Sequence, residues 1–223
     1  MGRASSRQLA GAGAFLVVVL WLVGFFLAGK PPKFAAPAGS VVDYYSKHHK
    51  QVLIAVILVA IGIAIYLVVL AQLAAYLREA GQEALAFAVL AAGAASAGLF
   101  SAGDAIYGVI AQSVKQLGAD PGLAKALYEL DQFAGIPLYW LVEVIILSVL
   151  IASVRGLFPR WAVWTSAIFA VLVALGGISV KASGALAAGT GPLSNLGFGA
   201  ALVFLLEVGL LLWGAGERAQ ITA

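Results

Sequence analysis

Residues 51–77 read QVLIAVILVAIGIAIYLVVLAQLAAYL and carry no charged side chain. A helix that crosses roughly 30 Å of hydrocarbon needs about 20 mainly apolar residues. The stretch meets that length. Within it Val52-Leu53-Ile54-Ala55-Val56-Ile57-Leu58 is continuously apolar, whereas a strand of a membrane barrel alternates. In lipid every backbone N–H and C=O must be satisfied inside its own segment, so the stretch is read as a helix.

Five further stretches pass the same test, at 12–29, 84–107, 133–154, 161–182 and 196–215. The expected fold is therefore all-α, a polytopic membrane helix bundle of six transmembrane helices with short loops, one integral membrane domain over 1–223. Composition agrees. The chain is 63% hydrophobic and 10% charged, with mean hydropathy +1.03. A soluble domain is nearer half apolar and a quarter charged, so a soluble enzyme, a disordered chain and a nucleic-acid module are excluded. The lipid bilayer is the expected surrounding, and no nucleic-acid partner is expected. Net charge is +3, from 13 basic and 10 acidic residues, too small and scattered for a polyanion partner. With no cysteine, disulfides, thiolate metal sites and cysteine nucleophiles are absent. The first stretch follows Arg3 and Arg7 like a signal peptide, but its apolar run exceeds the usual 7–15 residues, so it is read as a retained anchor.

Six spans put both ends of the chain on one side. Arg3, Arg7, Arg78, Arg155, Arg160 and Arg218 fall there, and Lys30, Lys33, Lys47, Lys50, Lys115, Lys125 and Lys181 fall on the other. The count is nearly even, but the arginines occupy tight connections and short tails, where positive charge decides orientation. The arginine side is expected to be cytoplasmic, with both termini.

The loop 30–50 opens with Lys30-Pro31-Pro32-Lys33, which cannot continue a helix. Ser40 is expected to cap a short amphipathic helix, with Tyr44 and Tyr45 at the lipid–water boundary. A turn at Ala119-Asp120-Pro121-Gly122 precedes Leu123, Ala126, Leu127, Leu130 and Ala134 at helical spacing, with Lys125 and Glu129 as an i,i+4 pair. This predicts a surface helix ahead of the fourth span, which Pro137 enters early. The third span is rich in alanine and glycine, a composition for close helix packing. It is expected at the bundle centre, with contact to a second copy or another membrane protein as the alternative.

Ala126-Leu127-Tyr128-Glu129-Leu130-Asp131, Leu157-Phe158-Pro159-Arg160-Trp161-Ala162-Val163-Trp164 and Asp43-Tyr44-Tyr45-Ser46-Lys47-His48-His49 resemble a family of small six-helix bacterial integral membrane proteins of unknown function. The resemblance implies the same topology and a bacterial cytoplasmic membrane. It implies no activity.

Ionisable residues inside spans are costly unless paired, protonated or facing water. Glu143 and Glu207 fall near mid-membrane, and Asp104 nearer the outer end of the third span. Lys181, at the outer end of the fifth, is the one intramembrane cation to pair with them. These four are the candidate proton or ion path, against the plainer reading of polar contacts between helices. Asp43, His48 and His49 are the candidate outer-surface metal or headgroup contact, but a third ligand is lacking and no metal is expected. Adjacent histidines cannot hold one haem from opposite faces, and no nucleophile elbow, P-loop or dinucleotide fingerprint occurs. No catalytic residue and no cofactor are expected. A non-enzymatic accessory, sensing or scaffold module is the first functional reading. A small proton-coupled carrier using the buried carboxylates is the alternative, and an enzyme acting on lipid or quinone a third.

Overall fold

A computed structural model describes residues 3–181 and 183–221, with side chains for 5–181 and 183–217. The expected end of the fifth span at Ala182, the Arg3 and Arg218 side chains and the outermost terminal residues lie outside that set. The described residues form α1 (Arg3–Ala28), α2 (Ala38–Glu79), α3 (Glu83–Gln112), α4 (Val114–Leu117), α5 (Pro121–Val154), α6 (Arg160–Gly177) and α7 (Pro192–Ile221). All but the one-turn α4 are long and apolar enough to cross a membrane. The chain is thus an all-α bundle and a multi-pass membrane protein. Phe26, Phe87 and Trp164 stand 82%, 74% and 74% exposed on its outside, as hydrocarbon surroundings allow and water would penalise.

Each spanning helix packs on the next in the chain, and α7 returns to α1, so the six close a ring. Glycine makes the last two seams close. A Cβ on Gly11 would stand 2.7 Å from the Gly209 carbonyl oxygen, and one on Gly197 would stand 2.8 Å from the Gly176 Cα. Small residues let backbones approach where lipid supplies no hydrophobic contrast between helices. At the arginine end, Arg7 Nη2 lies 2.5 Å from Glu79 Oε2 and its guanidinium sits 4.7 Å from the centre of the Tyr76 ring. Arg155 Nη1 donates to Gln82 Oε1. These contacts tie α1 to α2 and one tight turn to the other.

Several helix bounds differ from the sequence reading. α2 begins after Pro37 with no side-chain cap, so Ser40 is an interior residue. Its 42 residues make about 63 Å of helix, twice the hydrocarbon thickness. Likewise α5 starts at Asp120, whose Oδ1 accepts from the Leu123 N–H at 3.1 Å, and runs unbroken through Pro137 to Val154. No separate surface helix forms, because nothing between Gln132 and Phe133 breaks the backbone. The Lys125–Glu129 pair does form, at 3.5 Å. Where α2 and α5 extend outward, they build a second core with the end of α3 and α4. Tyr44, Tyr45 and Tyr128 are buried in it. Their rings pack on one another and on Tyr107 at 5.1, 5.8 and 6.3 Å. Within α3, Gly93 and Ser96 face α2. A Cβ on Gly93 would overlap Leu70, and Tyr66 meets Ser96 Oγ at 3.1 Å, whereas Ala91, Ala94 and Ala95 are exposed.

Candidate ligand cavity

A ring of helices leaves space along its axis unless side chains fill it. Here the space is a cavity of about 830 Å³, walled by α1, α2, α3, α5 and α7. Its deeper part is apolar, with Leu70, Ile145, Leu205 and Val208 on the wall. Trp21 reaches it from α1, its indole N–H donating to the Val59 carbonyl at 3.3 Å and its ring stacked on Phe100 at 4.8 Å.

The end of the cavity away from Arg7 is polar. Asp104 and Tyr107 come from α3, one turn apart, and Asp131 and Gln132 from α5. Gln132 Nε2 donates to Asp131 Oδ2 at 2.9 Å and to the Tyr107 hydroxyl at 3.3 Å, which fixes α5 against α3. Asp131 fits because Gly103 has no side chain: a Cβ there would stand 2.6 Å from Asp131 Oδ1. The two aspartates therefore face one space, and Asp131 lies within the field of Asp104.

Two connections at this end, α1 to α2 and α6 to α7, roof the cavity, with Gly29, Pro31 and Gly189 on its lining. Tyrosines hold the first connection: the Tyr44 hydroxyl donates to the Ala28 carbonyl at 2.6 Å, and the Tyr128 hydroxyl to the Pro32 carbonyl at 2.5 Å. In the second, Gly189 has φ +62°, and a Cβ on it would overlap the Gln132 amide. The two connections meet where the Phe34 N–H donates to Thr190 Oγ1 at 3.3 Å.

The candidate residues read from sequence are thus separated. Asp104 lies on the cavity wall, and neither Glu143 nor Glu207 does. Glu207 is buried between α6 and α7, where Ser166 Oγ donates to its Oε1 at 3.0 Å, while its buried Oε2 has no hydrogen-bond partner among the described residues. Glu143 also has a buried, unpartnered Oε2. α6 stands between the helices that carry these glutamates, which touch only marginally. Lys181 is not on a span. α6 ends at Gly177, and Lys181 is exposed in the connection that follows. Its backbone donates to Leu186 and accepts from Ala188. Asp43, His48 and His49 occupy the N-terminal part of α2, with Asp43 exposed and the histidines half-buried. His48 Nδ1 is 3.0 Å from the Tyr44 carbonyl. Among the described residues no group of three metal-binding side chains forms.

Sequence reading missed Asp131 and Gln132 as site residues, since both fell in an expected surface helix. Phe100 and Tyr107, four residues before and three after Asp104 on α3, line the cavity with it. A scan against protein-family models and searches of curated proteins and of solved structures find no match to the chain.

Proposed function

We propose that this chain is a non-enzymatic membrane module, of accessory or sensing kind, that binds a small and largely apolar molecule within the bilayer. The cavity carries the reading. Its volume of about 830 Å³ lies in the range of about 300–1,000 Å³ common for ligand sites, and it pairs an apolar wall with a few convergent polar groups. The arginine-rich connections and the resemblance to small bacterial membrane proteins support a bacterial cytoplasmic membrane with both termini inside.

Gly135 offers a direct test. It lines the cavity, and a Cβ on it meets no atom within 4 Å, so Gly135→Phe grows into open space rather than into a neighbour. The parent, carried in native-lipid nanodiscs and released in a mass spectrometer, is expected to retain a bound small molecule that Gly135→Phe has lost. Equal retention by both would count against the reading.

The position of Asp104 on the wall favours a second reading, a small proton-coupled carrier. In that case liposomes holding the parent acidify under an imposed cargo gradient and Asp104→Asn abolishes the effect. A binding module gives no such flux.

A further inference from the structure

The cavity is amphipathic along one axis, and its charge has one sign. Asp104 and Asp131 are the only charged side chains on the described lining. The ion pairs among the described residues are Arg7–Glu79 and Lys125–Glu129, so no lysine, arginine or histidine answers either aspartate. Asp104 has neither a hydrogen bond nor an ion pair among the described residues. Asp131 is placed rather than neutralised: Gln132 donates to one oxygen, and the other rests against Gly103.

From this end the lining runs inward as far as Ile145 on α5. That is fourteen residues beyond Asp131, about 21 Å of helix, with Leu138, Val142 and Ile145 along it. Tyr44, Tyr107 and Tyr139 also line the space, and aromatic rings attract cations. Two carboxylates are too few ligands to strip a metal ion of its water, and an inorganic cation would leave the apolar depth empty.

Resting on the ligand-binding reading above, we infer that the cavity takes a lipophilic ammonium, its cationic head between Asp104 and Asp131 and its alkyl tail lying inward along α5. Anionic amphiphiles are rejected, because no cation on the lining answers an anionic head, whereas a cationic head stabilises the ionised form of either aspartate. The ammonium is carried either by a free amphiphile or by the headgroup of a membrane lipid.

The full-length protein in dodecyl maltoside micelles, which contain no ammonium, is titrated calorimetrically with three probes of equal length. These are decyltrimethylammonium, its uncharged carbon isostere and decyl sulfate. The expected order is the cation about tenfold tighter than the isostere, with no decyl sulfate binding. Asp104→Asn leaves the fold intact, since Asp104 holds no partner, and is expected to remove most of the preference for the cation while binding of the isostere persists. Asp131→Asn does the same. Competition by a short-chain phosphatidylcholine, with none by phosphatidylglycerol, assigns the head to a lipid; failure of both to compete assigns it to a free amphiphile. Equal binding of cation and isostere, unchanged by Asp104→Asn, overturns the head assignment and leaves the apolar cavity reading standing. No binding of any probe, together with no effect of Gly135→Phe on retained molecules, overturns both.

Discussion

Replacing Ser166 by alanine and Glu207 by leucine, singly and together, measures a polar contact that joins α6 to α7 inside the bundle. Ser166 is fully buried and Glu207 is 4% exposed, with Oγ donating to Oε1 at 3.0 Å. Two magnitudes compete. Breaking a buried ion pair costs about 3–5 kcal/mol, whereas hydrogen bonds between membrane helices average about 0.6 kcal/mol and reach about 1.7. No cation answers Glu207 among the described residues, so the second scale applies. The serine also has a fallback. Ser148 and Ser153 donate to the carbonyls four residues back, at 2.7 and 2.8 Å, and Ser166 freed of Glu207 reaches that of Ala162 in the same way. Leucine, close to glutamate in volume, removes an oxygen that lacks a partner and restores apolar contact. Ser166→Ala is therefore expected to cost about 0.5–1 kcal/mol, and Glu207→Leu to fall within about 1 kcal/mol of the parent in either direction. The coupling from the double-mutant cycle is expected between about 0.5 and 1 kcal/mol, no larger than the cost of Ser166→Ala in the parent. Reversible unfolding in mixed micelles, titrated with a denaturing detergent, reads all four proteins. A loss above about 3 kcal/mol for Glu207→Leu would refute the reasoning, because only a charge with a buried partner behaves that way.

Arg7→Ala removes both the Glu79 pair and the stack on Tyr76. The Glu79 side chain is 42% exposed, so the loss is expected near about 1–2 kcal/mol, with Arg7→Lys recovering about half, as a lower midpoint of thermal unfolding in nanodiscs. The cysteine-free chain also makes topology directly testable. Gly39→Cys, exposed with nothing near its Cβ, is expected to react with an impermeant thiol reagent in intact cells, while Glu83→Cys, exposed at the start of α3, is expected to react only after lysis. The reverse pattern overturns the orientation.

The spans were legible because hydrocarbon thickness sets a length that a run such as Val52–Leu58 satisfies by composition alone. Helix ends were less so. Backbone breakers place them, and Pro37 ends the connection before α2 where Ser40 was expected to. α5 runs on because hydrophobic spacing resumes at Phe133 with no break before it, and a proline one turn later does not interrupt it. Packing partners were not legible for Tyr44 and Tyr45: amphipathic rings suit an interface, and a core shared with Tyr107 and Tyr128 buries them against α3 and α5. Asp104 was legible as a costly intramembrane acid. Asp131 was not, since its role depends on α3 and α5 being neighbours and on the missing side chain of Gly103. Periodicity gives the face of one helix and not the helix it meets. For the same reason Glu143 and Glu207, similar in depth, could not be assigned to opposite sides of α6.

The central claim is that a space within the ring accepts an apolar ligand, and cysteine protection measures it most directly. Single cysteines at Gly135, on the cavity wall, and at Val203, 50% exposed on the outer face of α7, are alkylated with a membrane-soluble thiol reagent, with and without decanol. The account expects decanol to slow alkylation at position 135 in a saturable way and to leave position 203 unchanged. Equal rates at both positions, indifferent to decanol, would contradict it.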